Sequence, residues 1–221
     1  SETSCDECYH GNLLSTRVKA CATAHDVRQL IEGTRVFCAT TSSMNANMGL
    51  FGIKHFDLAI IDEASQILEP QLIGLLSARH GERDAIGRFV LIGDHKQLPA
   101  VVQQTERESI VTDHELIDIN LTDCRHSLFE RMLSYFTTAD GYDSRYVYML
   151  TKQGRMHRDI AEFPNCAFYG NRLEVVPLSH QLTPCRDSGS HHGIVQLITS
   201  RRIAFVASER PSCPTSPKTN Q

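Results

Sequence analysis

No run of about eighteen consecutive apolar residues occurs in this 221-residue chain, so no segment has the length of a membrane-spanning helix. An excess of basic charge is missing too: 22 Lys and Arg stand against 26 Asp and Glu, a formal net charge of −4. A global positive field for nucleic acid is therefore absent, although a local groove lined by Lys and Arg needs no such excess. The first residues, Ser1 to Glu7, are acidic and polar, unlike the apolar centre of a signal peptide. No internal repeat is visible. No glycine begins a G-x-x-x-x-G-K-[ST] pattern, the loop that cradles phosphates, and no N-K-x-D segment offers to read guanine. The eight cysteines are scattered through strand-like and helix-like segments. That distribution suits a reducing compartment rather than a disulfide framework, and a cytoplasmic location is expected.

What the chain does contain begins with Phe56-Asp57-Leu58-Ala59-Ile60-Ile61-Asp62-Glu63-Ala64-Ser65-Gln66. A short apolar, β-rich run ends in adjacent carboxylates, which reads as a buried strand of a parallel sheet. Ligands of open α/β sheets bind at the carboxyl ends of the strands, where Asp62 and Glu63 would sit. There one acid can hold Mg²⁺ on a nucleotide while its neighbour orients or deprotonates an attacking water. A second run, Arg88-Phe89-Val90-Leu91-Ile92, ends the same way in Gly93-Asp94-His95-Lys96-Gln97-Leu98-Pro99. Nucleotide hydrolysis is the function these paired strand ends suggest.

Hydrophobic content of 41% and charged content of 22% are ordinary for a globular chain that buries one core, or one and part of a second. Apolar spacing predicts a helix over 16–31, closed by Gly33. Strands are predicted over 36–41, 57–62, 88–92, 146–150 and 202–206, with a polar loop over 42–47. A helix is expected from Pro70 to Ala78. Another begins at Ser127, which with Glu130 makes a capping box. A short helix at 160–163 is expected to stop at Pro164, and 177–193 reads as a linker. Strands alternating with helices argue for a doubly wound parallel sheet, an α/β fold.

Three ordered segments resemble the superfamily I helicases of the nonsense-mediated-decay and replication helicase/nuclease type. The first is the Walker B-like Ile60-Ile61-Asp62-Glu63-Ala64-Ser65-Gln66. The second, similar to that family's motif III, runs from Leu91 through Gly93-Asp94-His95-Lys96-Gln97-Leu98-Pro99 to Val102. The third, similar to motif IV, is Gln153-Gly154-Arg155-Met156-His157 with Phe163-Pro164 and Phe168-Tyr169 behind it. The resemblance covers residues 35 to 175 and implies a RecA-like P-loop NTPase sheet with flanking helices. It implies ATP and Mg²⁺ as cofactors and single-stranded DNA or RNA as partner, with nothing to choose between the two nucleic acids. Asp62 would coordinate Mg²⁺, Glu63 would activate the hydrolytic water, and Gln97 would touch the γ-phosphate. Gln153 would contact the nucleotide, and Arg155 would clamp the γ-phosphate, a task suited to a planar guanidinium. Thr40, Thr41 and Ser42 stand where the family contacts nucleic acid, although a plain polar loop reads equally well there.

Two positions depart from the family. Many relatives carry an aromatic ring between the Gln and Arg of motif IV, stacking on adenine, where this chain has Gly154; Arg158 replaces a usual Pro. The G-x-x-x-x-G-K-[ST] loop and the later motifs of a second RecA-like domain are also missing. The expectation is an incomplete core: an insert over 1–34, a motor fragment over 35–176, and a linker with the start of a second domain over 177–221. Such a piece would hydrolyse ATP poorly by itself. Its open sheet edge would invite self-association or be covered by rearranged chain. The function expected of the whole is an ATP-dependent helicase, the alternative being a non-hydrolysing nucleic-acid-binding or scaffold remnant. Cys5, Cys8, Cys21 and His25 have a spacing close to small zinc fingers. The interval lacks a core aromatic and competes with a plain helix, so unligated thiols are the reading.

Overall fold

Residues 14–33 form two short helices where the apolar spacing suggested one. The structure, a computed structural model, describes residues 13–184 and 202–203. They belong to two units divided between Val147 and Tyr148. In the first unit, α1 (Leu14–Lys19) and α2 (Ala24–Gly33) replace the helix expected over 16–31. The break comes from Thr23, whose hydroxyl accepts from the Asp26 N–H at 3.2 Å while the Asp26 carboxylate accepts from the Thr23 N–H at 2.9 Å. This reciprocal capping box starts a new helix.

The strand expected over 36–41 is not formed, and the loop expected over 42–47 is largely helical. Thr40 caps α3 (Thr41–Ala46), its hydroxyl accepting from the Ser43 N–H at 3.1 Å, and α4 (Gly49–Ile53) follows. The Asn45 side chain donates to the Gln71 carbonyl at 2.8 Å, tying α3 to α5 (Pro70–Leu76). Between these helices lies β1 (Ala59–Ile61). After α5 come the hairpin of β2 (Arg79–His80) and β3 (Arg83–Asp84), and then β4 (Phe89–Leu91).

β1 and β4 run parallel, with Ile60 opposite Val90 and Ile61 opposite Leu91. Parallel neighbours need a crossover, which α5 and the hairpin supply. The Ile61 face looks into a core built with Phe51, Leu72, Leu75, Ile86 and Leu128. On the other face, Ile60 is 62% exposed and Val90 43%. The α/β class stands, but this sheet among the described residues has two strands rather than a broad parallel array, and one bare face.

The rest of the first unit is α6 (Glu106–Ser109), α7 (His114–Asp118), α8 (Leu128–Tyr135) and the hairpin β5 (Thr137–Thr138) with β6 (Gly141–Tyr142). The capping box expected at the start of α8 is present: Ser127 Oγ accepts from the Glu130 N–H at 3.2 Å and Glu130 Oε2 accepts from the Ser127 N–H at 2.9 Å.

The strand expected over 146–150 is not formed; in the second unit β7 (Lys152–Gln153) pairs in parallel with β8 (Glu174–Val175). Between them, α9 (Arg158–Phe168) runs through Pro164 instead of stopping at it. Proline removes the N–H that would bond to Ile160, and Ile160 is itself exposed. α10 (Ser179–Leu182) falls inside the stretch read as a linker. Arg202 and Ile203 are not in a strand; 204–206, Cys5 and Cys8 lie outside the described residues. Among the described residues no helix is long and apolar enough to cross a membrane.

Candidate functional site

Chain direction places the carboxylates. β1 ends at Ile61, so Asp62 and Glu63 follow at its carboxyl end, and both are exposed. Glu63 has φ 52° and ψ 35°, left-handed geometry that costs a non-glycine residue about 1–2 kcal/mol. Its surroundings enforce that geometry. The Ala64 N–H donates to the Ile92 carbonyl at 2.7 Å, and Ala64 and Ser65 are buried in the 3₁₀ turn Ala64–Gln66. Ser65 Oγ accepts from the Asp94 N–H at 3.1 Å. The approach requires glycine at 93: a Cβ there would lie 2.8 Å from the Ser65 nitrogen. Gly93 and Ser65 thus stitch the carboxylate turn to the loop carrying Gln97.

Within that loop, Asp94 organises its neighbours. Its carboxylate accepts from the Lys96 N–H at 3.0 Å and from Gln97 Nε2 at 2.9 Å. Glu63 Oε2 likewise accepts from Gln66 Nε2 at 3.2 Å. Both site side chains are therefore held by bonds inside their own loops, poised rather than loose. His95 is half-buried; burial, with the Lys96 charge, pushes its imidazole below the ordinary value.

In the second unit the motif around Arg155 is a tight turn following β7. Gln153 Oε1 accepts from the N–H groups of Arg155 at 3.2 Å and Met156 at 2.8 Å, while its Nε2 donates to the Met156 carbonyl at 3.0 Å. The Gln153 amide is thereby committed to its own turn. Arg155 is exposed, and its guanidinium makes no hydrogen bond or ion pair among the described residues. His157 is buried and caps α9: Nδ1 accepts from the Asp159 N–H at 3.2 Å, which leaves Nε2–H to donate to the Thr183 carbonyl at 3.0 Å. Beside Gly154 there is room, the nearest atom to a built Cβ being Leu178 Cδ1 at 3.8 Å.

Thr40 spends its hydroxyl oxygen on the cap of α3; Ser42 is exposed in the first turn and Thr41 half-buried. Cys21 is a free thiol whose Sγ donates to the Arg17 carbonyl at 3.5 Å. No group of three or more His, Cys, Asp or Glu among the described residues is arranged to hold a metal ion. Sequence reading gave roles to Asp62, Glu63, Gln97, Gln153 and Arg155 and none to Ser65 or Gly93, which join the first two loops. The small pair Ala64-Ser65 directly behind two acids was the available signal for a close approach.

Residues 12–105 and 124–210 each match an AAA domain family. The chain is 32% identical over 158 residues to the DNA replication ATP-dependent helicase/nuclease DNA2 of Gallus gallus, covering 72% of this chain and 13% of that protein. It is 34% identical over 149 residues to the DNA replication ATP-dependent helicase/nuclease JHS1 of Arabidopsis thaliana, covering 67% and 9%. Against Helicase sen1 of Schizosaccharomyces pombe it is 31% identical over 147 residues, covering 66% and 7%. The fold and the matched domains define an α/β protein of the AAA class. Within it, the chain belongs to the superfamily I helicases. It spans about a tenth of the length of these relatives.

Proposed function

We propose that these residues serve ATP hydrolysis coupled to strand separation on single-stranded DNA or RNA. The observation that carries the reading is the exposed Asp62–Glu63 pair at the end of β1, stitched through Ser65 and Gly93 to the loop of Gln97. A magnesium ion arriving with a nucleotide needs only one or two protein carboxylates, the rest of its shell being phosphate and water. Exposed Asp62 meets that requirement, and the ion would neutralise phosphate charge there. Glu63 accepts the proton of the attacking water. Gln97, released from Asp94, reports the state of the γ-phosphate to the rest of its loop, and Arg155, in the second unit, offers an exposed positive charge of the kind that stabilises a transferred phosphoryl group. Thr41 and Ser42 offer hydroxyls to the nucleic-acid backbone, a contact that positions without reading sequence.

Phosphate release by the full-length protein, with and without single-stranded oligonucleotide, tests the reading. Magnesium-dependent hydrolysis stimulated by the strand is expected. Strand binding with no hydrolysis would replace it with the non-hydrolysing scaffold.

Gly154 adds an expectation about nucleotide choice. Base–aromatic stacking contributes about 0.5–1.5 kcal/mol, and Gly154 has room for the Cβ from which a ring would project. Gly154→Tyr should tighten ATP binding by roughly threefold to tenfold, from that same stacking range. An unchanged Kd in a fluorescent-nucleotide titration would mean that another group already covers the base.

A further inference from the structure

The turn carrying Arg155 is gripped from outside as firmly as from within. Gln181, on α10, is 0% exposed. Its Nε2 donates to the carbonyls of Gln153 at 2.9 Å and Met156 at 3.1 Å, and its Oε1 accepts from the Leu178 N–H at 3.4 Å. The two carbonyls bracket Gly154 and Arg155. Alongside, His180 Nε2 lies 3.0 Å from the Gly154 carbonyl.

A buried amide is costly to leave unsatisfied, and an aliphatic side chain would fill the same space without that demand. Here every polar atom of the amide is matched, and both donor bonds end on the Arg155 turn. The Gln153 side chain holds the N–H groups of that turn and shares the Met156 carbonyl with Gln181, which alone of the two side chains holds the Gln153 carbonyl. The glycine at 154 removes any side-chain restraint at the next residue, so these two amides set the backbone from which the arginine projects.

We propose that Gln181 is a positioning residue for Arg155. It does not touch nucleotide; it fixes the Cα of Arg155 so that the guanidinium meets phosphate without first ordering its loop. Immobilising a loop on binding weakens affinity, and a displacement of an ångström in a charge clamp lowers rates strongly. The proposal rests on the reading of Arg155 as the phosphate clamp.

The test uses Gln181→Met, Arg155→Ala and the double variant in the full-length protein, with two measurements. Hydrogen exchange of the Arg155 and Met156 amides reads the turn itself, with the amides of α9 as the internal reference. Titration with a non-hydrolysable fluorescent ATP analogue reads the consequence. Gln181→Met should speed exchange of those two amides at least about tenfold while α9 is unchanged. It should weaken analogue binding about tenfold in the parent and have no further effect in the Arg155→Ala background, because coupled residues are non-additive.

Unchanged exchange would overturn the proposal, as would effects of the two substitutions that simply multiply. Arg155→Ala with parental affinity would overturn the clamp reading, and accelerated exchange in Gln181→Met would then still establish its hold on the turn. Should Gln181→Met fail to fold, Gln181→Asn, whose amide falls one methylene short, carries the same comparisons with the same expected directions.

Discussion

Replacing Glu63 by Gln is expected to slow ATP turnover about a thousandfold, the scale of a lost general base, while ATP affinity stays within about threefold because that contact matters in the transition state rather than in binding. The neighbouring acids differ in backbone geometry and in hydrogen bonding. Asp62 continues from β1 and spends one oxygen on the Glu63 N–H at 3.0 Å, whereas Glu63 sits in the left-handed region. Backbone strain of this kind persists only where the surroundings over-determine it, and here Ala64 is locked to Ile92 and Ser65 to Asp94. Gln keeps the size of Glu and can still accept from Gln66, so the turn should survive the change. What Gln cannot do is take a proton. Single-turnover phosphate release and nucleotide titration in the full-length protein separate the two quantities. Parallel loss of binding and turnover would reassign Glu63 to holding the nucleotide.

Local signals were legible and non-local ones were not. The Ser127–Glu130 capping box could be read from the sequence because both partners lie within one turn. The strands β1 and β4 were likewise visible, since each is a short apolar run ending in polar residues. The runs over 36–41 and 146–150 have the same composition but form no strand. β-propensity describes fitness for a pleated, half-buried surface and needs a neighbour to pair with, and Val36, Tyr148 and Leu150 stand exposed instead. Residues 42–47 looked like a loop because their composition is polar; the Thr40 cap and the long-range Asn45–Gln71 bond make them helical. At the site, the acids, Gln97 and Arg155 stood out by type and spacing. Their supports did not, because Ser65 meets Asp94, and Gln181 meets Gln153, only after the chain has folded back across more than twenty residues.

Arg131 should be among the most costly polar side chains to truncate in the first unit. On α8 it reaches Glu69 at the start of α5 with two bonds, Nε to Oε2 at 2.8 Å and a second between the terminal nitrogen and Oε1, and it donates to the Ile119 carbonyl at 2.8 Å. Side-chain exposure is only 11% for Arg131 and 14% for Glu69. Water therefore replaces a missing partner only in part. Arg131→Ala leaves a largely buried carboxylate without its partner and should cost up to about 3–5 kcal/mol, the range for a fully buried pair. For a unit of this size that lowers Tm by roughly 6–20 °C. The pair itself is worth far less than its breakage, since desolvation of both charges offsets most of their attraction. Replacing both ends together, Glu69→Leu with Arg131→Met, should therefore recover most of the loss. Thermal and urea unfolding of the single and double variants decides between these. A double variant as unstable as Arg131→Ala would show that the contact between α5 and α8 depends on the charges themselves rather than on keeping neither one alone.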